Sequence, residues 1–101
     1  MGMDKSLLMR LHATHFRRDR LPTSTTYYAA EGIKLVGGGE WRSALCPFHA
    51  DKKPSLRVRL ETGAFRCMAC GAHGGDVLDF HRLRYGMTFK EAARDLGAWG
   101  A

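Results

Sequence analysis

The chain has 101 residues, with sixteen Lys and Arg against ten Asp and Glu and a net charge of +6. This length accommodates one compact domain and is too short for two ordinary ones. Basic residues run through the whole chain, which makes a polyanion such as nucleic acid the first partner to consider. No window approaches the roughly 18 apolar residues of a membrane span, so we expect no membrane partner.

The chain contains three cysteines, an odd number that cannot close completely into disulfides. The N-terminus shows no charged segment followed by a long apolar run, as a secretory signal would. These two observations predict a cytoplasmic protein with reduced thiols.

The first third is predicted to be a helical lead, residues 1–31. Leucines recur at helical spacing and predict a helix from Asp4 to about Arg20. After Pro22, the segment TTYYAAEG predicts a short helix that is capped by a hydroxyl and closed at Gly32.

The middle of the chain changes to the alternating period of strands. Segments IKLV (33–36) and WRSAL (41–45) flank a glycine-rich turn and predict a first β-hairpin. Segments SLRVRL (55–60) and AFRC (64–67) flank ETG and predict a second hairpin. Alternation places three arginines of the second hairpin away from the core: Arg57, Arg59 and Arg66.

Two further helices are predicted near the C-terminus. Asp76 caps a helix that ends at Gly86, and Thr88 with Glu91 forms a capping box for a last helix that stops at Gly97. The predicted fold class is therefore α+β, a small antiparallel β-sheet flanked by N- and C-terminal helices. The sheet and its two C-terminal helices occupy residues 32–97, followed by a tail at 98–101.

Two short motifs carry the chemistry. Cys46 and His49 form C-P-F-H, Cys67 and Cys70 form C-M-A-C, and seventeen residues separate the pairs, enough for a returning hairpin. Three thiolates and one imidazole suit a tetrahedral zinc ion with no open position, which predicts one structural Zn²⁺. Two alternatives are a redox C-x-x-C beside a buried Cys46 thiol, and His73 in place of His49 as the fourth ligand.

The segments CPFHADKKPSLRV, FRCMACGAHGGDVLDF and YGMTFKEAARDLG together resemble the Cys-His-Cys-Cys zinc-ribbon domain of bacterial DnaG-type DNA primases. The resemblance runs from about Gly32 to Gly97 and implies that the two motifs supply the zinc ligands. It also implies contact with the single-stranded template, while a separate polymerase domain with carboxylate-bound magnesium makes the primer. That catalytic domain has no counterpart in the sequence, so we do not expect this chain to polymerise nucleotides alone.

A basic and aromatic sheet surface is a plausible platform for single-stranded DNA, because arginines neutralise phosphates and aromatic rings stack on bases. Phe48 and Phe65 are also possible stacking rings, but their positions favour the core. Arg82 and other basic residues on the outer sides of the C-terminal helices extend the same surface. The predicted DNA-binding residues are Trp41, Lys52, Lys53, Arg57, Arg59 and Arg66.

Three functions remain open on the sequence. The first is a zinc-dependent module that binds single-stranded DNA for primer synthesis in DNA replication, with a primase catalytic subunit or helicase on another chain as a possible partner. The second is a structural zinc module that acts as a protein-interaction adaptor for a replication protein. The third, a complete small enzyme, is disfavoured because the chain has no carboxylate cluster for magnesium. His12, His15 and His81 are predicted to be surface or core-edge residues.

Overall fold

A computed structural model describes residues 15–100. The strands form one antiparallel sheet in the order β1-β2-β3-β4, with helices before and after it, which confirms the predicted α+β class. No helix of the described residues is long enough to cross a bilayer. After a 3₁₀ turn at Arg18–Arg20, the elements are α1 Ser24–Ala30, β1 Trp41–Ala44, β2 Leu56–Arg59, β3 Phe65–Cys67, β4 His73–Gly74, α2 Val77–Tyr85 and α3 Phe89–Asp95.

The three helices begin and end where their capping residues predict. The side chains of Thr23, Asp76 and Thr88 each accept a hydrogen bond from the backbone N–H three residues later. Glu91 completes the capping box by accepting from the Thr88 backbone N–H. Gly86 ends α2 in the left-handed region, with φ of 64°, which a glycine adopts at little cost.

The predicted helix over residues 4–20 lies mostly outside the described residues, and its last part is wrong. Phe16 pairs with Trp99 in an antiparallel bridge, and the Arg17 backbone N–H donates to the Ala98 carbonyl at 2.7 Å. The backbone here is therefore held by residues at the other end of the chain, not by a helix.

The predicted first hairpin is reduced to a single bridge between Val36 and Ser43. The Ile33 backbone N–H instead donates to a carbonyl of α1 at 2.9 Å, which ties the start of the expected strand to the end of the helix. The Arg42 guanidinium donates to two carbonyls of the glycine turn at 2.8 and 2.9 Å. These two hydrogen bonds close the turn, so the turn is held without a long ladder of backbone hydrogen bonds between two strands.

The main core lies between the inner face of the sheet and α1 and α2. Phe80 of α2 is fully buried, and its ring centroid lies 4.9 Å from Tyr28, 5.0 Å from Phe65 and 5.1 Å from Phe48. The pairs with Tyr28 and Phe65 are edge-to-face, an arrangement that contributes beyond its buried area. Phe65 thus belongs to the core, as its alternation predicts, and is withdrawn from the DNA-facing surface.

His81 is buried, contrary to the prediction that it lies at the surface or the core edge. Its Nδ1 lies 2.7 Å from the Tyr27 hydroxyl, and its Nε2 lies 2.5 Å from a carboxylate oxygen of Asp95. Burial raises the pKa of Tyr27 above its ordinary value, so this phenol keeps its proton. The imidazole therefore joins α1, α2 and α3 through polar contacts that no local sequence pattern indicates.

Candidate metal centre and nucleic-acid interface

The four ligand-capable side chains converge at one end of the sheet. Ala44 of β1, Leu56 of β2 and Cys67 of β3 are neighbours across three strands. Because Cys46 follows Ala44 by two residues, the register brings it beside Cys67. One ligand atom from each residue lies within 4.8 Å of all the others in the set Cys46, His49, Cys67 and Cys70.

The spacing of these atoms fits tetrahedral zinc. Bonds of about 2.3 Å to sulfur and about 2.0–2.1 Å to nitrogen require S–S and N–S separations of about 3.8 and 3.5 Å. The Cys46 and Cys70 sulfurs lie 3.8 Å apart, and His49 Nε2 lies 3.3 Å from the Cys67 sulfur. A set of three thiols and one imidazole is typical of a closed, structural zinc site.

His73 lies outside this cluster. It belongs to β4, is exposed, and pairs in register with Arg66. Its Nδ1 lies 2.9 Å from the Gly71 carbonyl oxygen, which only accepts, so Nδ1 carries the hydrogen. Of the two histidines that the sequence offers as fourth ligand, the structure brings His49 to the cysteines.

The thiols differ in how readily they ionise. Burial opposes ionisation of Cys67, but hydrogen bonds, among them those from the backbone N–H groups of Cys70 and Ala69, outweigh it and lower the pKa of this thiol. Burial raises the pKa of Cys46. The contact with Cys67 raises the pKa of His49. Zinc binds cysteine as thiolate and histidine as neutral imidazole, so binding at this cluster would release whatever ligand protons are present.

Asp51, which the sequence analysis did not single out, organises the loop that carries His49. One carboxylate oxygen of Asp51 accepts from the Cys46 N–H at 2.9 Å, the Ser55 N–H at 3.1 Å and the Ser55 hydroxyl at 2.7 Å. The Ser55 hydroxyl has one proton and donates it to Asp51, so it does not also donate to the nearby Cys67 sulfur. The Cys70 N–H, 3.3 Å from that sulfur, is the firmer donor to it. The only sequence signal for this role is the presence of an acidic residue, Asp51, two positions after His49.

We predict that Asp51→Ala weakens zinc binding by about 10- to 100-fold, the usual effect of removing a residue that orients metal ligands. The loop loses the acceptor that holds the Cys46 and Ser55 backbone groups. Competition with a chromogenic chelator measures the change. Glu61→Ala removes the same charge from an exposed position and serves as the control. Equal zinc affinities for the Asp51 variant and the unchanged protein would contradict the assignment.

The outer face of the sheet carries a row of side chains that crosses all four strands. Ser43, Arg57, Arg66 and His73 are successive register partners on β1, β2, β3 and β4. Directly paired residues project from the same face of a sheet, so these four lie side by side. Both arginines are exposed, and Arg57 also donates to the Ser43 hydroxyl at 3.3 Å. We call this set the arginine row.

The other predicted DNA-binding residues differ in their surroundings. Trp41 lies on β1 opposite Arg59 with 40% of its surface exposed. Arg59 forms ion pairs with Glu40 and Glu61, so its charge is already balanced. Lys52 and Lys53 are exposed but lie on the loop before β2, outside the arginine row.

A family model described as the CHC2 zinc finger, a DnaG-type zinc ribbon, matches residues 27–99. The chain belongs to the CHC2 zinc finger family. This confirms the resemblance recognised in the sequence. The Cys-His-Cys-Cys cluster of this chain contains the residue types for which the family is named.

Several proteins similar to this CHC2 zinc finger are DNA primases. The DNA primase of Streptomyces coelicolor is 35% identical over 79 residues, which are 78% of this chain and 12% of the primase. The Gene 58 protein of Mycobacterium phage D29 is 44% identical over 55 residues, 54% of this chain and 42% of that protein. The chain thus spans less than half the length of either relative.

A solved structure shows the same fold. The crystal structure of the Aquifex aeolicus primase, comprising zinc binding and RNA polymerase domains, matches with a TM-score of 0.59 and 33% identity. The match covers 68% of this chain and 17% of that one. The CHC2 zinc finger described here therefore corresponds in extent to a small part of a much longer primase chain.

Proposed function

We propose that the chain is a zinc-dependent module that binds single-stranded DNA for primer synthesis in cytoplasmic DNA replication. The observation that carries the proposal is the arginine row, in which Arg57 and Arg66 lie directly opposite each other on an exposed face. Two adjacent guanidinium groups match the phosphates of a single nucleic-acid backbone. The similarity to DNA primases supports a role in replication.

Trp41 adds an aromatic surface beside the basic one. The side chain is partly exposed on the same face of β1 as Ser43, two residues along the strand. Stacking of an unpaired base on an aromatic ring contributes about 1–3 kcal/mol and is available only where the base is not paired. This arrangement favours single strands over duplex DNA.

One structural zinc ion holds this surface together in the proposal. The cluster joins the end of β1, the loop before β2 and the end of β3, so the ion fixes the strands that carry Arg57 and Arg66. All four coordination positions are filled by protein side chains, which leaves none for substrate. Primer synthesis then belongs to a primase catalytic domain with which this module works, on the same or another chain.

The test is binding of the zinc-loaded protein to fluorescent single-stranded and duplex oligonucleotides of equal length across a salt series. We expect tighter binding to the single strand and a steep fall in affinity with salt. Equal and weak binding to both, with zinc content intact, would overturn the proposal.

We predict that Arg57→Gln combined with Arg66→Gln weakens single-strand binding and lowers the slope of log affinity against log salt by about 1.4, about 0.7 for each lost phosphate contact. Arg20→Gln with Arg94→Gln removes the same charge from exposed positions outside the sheet. An identical fall in slope for this control would show that net charge, and not the arginine row, governs binding.

A second candidate is the protein-interaction adaptor, and exposed apolar side chains on the helices favour it. Leu83, Tyr85 and Phe89 are 50%, 47% and 38% exposed. Its partner would be a replication protein such as a primase catalytic subunit or a helicase. Association that survives charge reversal at Arg57 but fails after Phe89→Ala would support the adaptor.

A further inference from the structure

An open cleft lies between β4 and α2, at the edge of the sheet where the arginine row ends. Its volume is about 580 Å³, within the range of small-ligand sites. Gly74 lines the cleft, and a Cβ atom there would lie 2.6 Å from both the Phe65 ring and Asp79 Cβ. A side chain at this position would collide with both, so glycine lets β4 lie close to α2.

One wall of the cleft carries two opposite charges that do not meet. Asp79 and Arg82 are three residues apart on α2, a spacing at which oppositely charged side chains commonly pair. Within residues 15–100, neither forms an ion pair with the other or with any third residue. The Gly75 N–H donates to Asp79 Oδ2 at 2.8 Å, which orients the carboxylate. One wall of the cleft thus offers a hydrogen-bond acceptor and a multiple donor that are not paired with each other.

The rest of the cleft is suited to a flat, amphipathic ligand. Leu83 is 50% exposed at its rim, and Met87 supplies a flexible thioether. His73 joins the cleft to the arginine row, because it lines the cleft and pairs in register with Arg66. A strand lying along the arginine row as far as His73 would therefore reach the edge of the cleft.

We propose that the cleft binds one base of the single strand and that guanine fits it best. Arg82 donates to guanine O6, and the Asp79 carboxylate accepts from the guanine N1–H or amino group. Leu83 and Met87 contact the ring face. This inference rests on the proposed function for the route by which the strand arrives, while the chemistry of the cleft applies equally to a free guanine nucleotide.

The first measurement compares four fluorescent oligothymidylates of equal length that carry a central dG, dA, dC or dT. We expect the zinc-loaded protein to bind the dG strand at least about fivefold more tightly than the dT strand, the lower bound for a good side-chain contact to a base. Equal affinities for all four strands would overturn the cleft proposal while leaving single-strand binding in place.

Variants then assign the preference to the cleft. Asp79→Asn keeps an oxygen for the Gly75 N–H but replaces the other acceptor with a donor, and Arg82→Gln removes the guanidinium. Each is expected to bring the ratio of dG-strand to dT-strand affinity close to one, and Arg82→Gln also lowers the affinity for every strand because it removes a cation from the basic surface. Lys90→Gln, on α3, is the matched control and should retain the preference. A preference that survives both cleft variants would contradict the proposal.

Free nucleotides separate this inference from the proposed function. In a titration of the ¹⁵N-labelled, zinc-loaded protein, GMP is expected to shift the backbone resonances of Gly74 and Gly75 more than CMP does. If no oligonucleotide binds and GMP still shifts these amides, the cleft is a nucleotide site and single-strand binding is wrong. If strands bind and GMP and CMP give the same shifts at both glycines, the cleft proposal is wrong.

Discussion

Cys67→Ala is expected to abolish stoichiometric zinc binding and to unfold or loosen the ribbon. Cys67 is buried at the end of β3, and its sulfur lies 3.3 Å from His49 Nε2, as expected for two ligands of one ion. Binding free energies of about 10–16 kcal/mol are coupled to folding in small structural zinc sites, which is comparable to the whole stability of a domain. Metal analysis and thermal unfolding by circular dichroism measure both effects.

Met68→Ala is the matched control, because Met68 follows Cys67 directly and is 70% exposed. It should retain zinc and the melting transition of the unchanged protein. The unchanged protein treated with a chelator should behave like the Cys67 variant. Unaltered zinc content together with unaltered melting of Cys67→Ala would refute the ligand assignment.

Phe80→Ala is expected to lower the free energy of unfolding by about 3–5 kcal/mol, the usual cost of deleting a buried aromatic ring. Phe80 is fully buried where α1, α2 and the sheet meet, so the cavity cannot be filled by movement of one neighbour. Urea unfolding of the zinc-loaded protein measures the change, with zinc content checked at each step.

Leu83→Ala, three residues further along α2 and half exposed, is the corresponding control and should change stability by less than about 1 kcal/mol. A comparable loss for both variants would mean that α2 packs through a different face. A loss of unfolding free energy in Phe80→Ala but not in Leu83→Ala would support the role of the aromatic core, beside zinc, in holding the helices to the sheet.

The second hairpin and the three described helices could be predicted because their signals are local. Alternation set the inward and outward faces of β2 and β3, and polar caps marked the start of each helix. The missing part of the first hairpin depends on the Arg42 side chain closing a turn. The Phe16–Trp99 bridge joins opposite ends of the chain, and nothing near Phe16 in the sequence indicates it.

The candidate site likewise has features that local sequence patterns predict and features that depend on the folded structure. Spacing predicted the set Cys46, His49, Cys67 and Cys70 but left His73 open as the fourth ligand, and the structure brings His49 to the three cysteines. The ion pairs that balance Arg59 come from a neighbouring segment and a turn, and sequence alternation shows only that the arginine faces outward. The role of Asp51 depends on a loop conformation, and two-residue spacing rules contain no information about it.

The arginine row also has a cost for the free protein. Like charges directly opposite each other on antiparallel strands destabilise a sheet, and Arg57 and Arg66 are in this position. Folding therefore brings together two cations that repel each other, and a bound polyanion relieves that repulsion. A neutral residue at either position would make the unliganded fold more stable. The two arginines therefore lower the stability of the free protein while they increase its attraction for a polyanion.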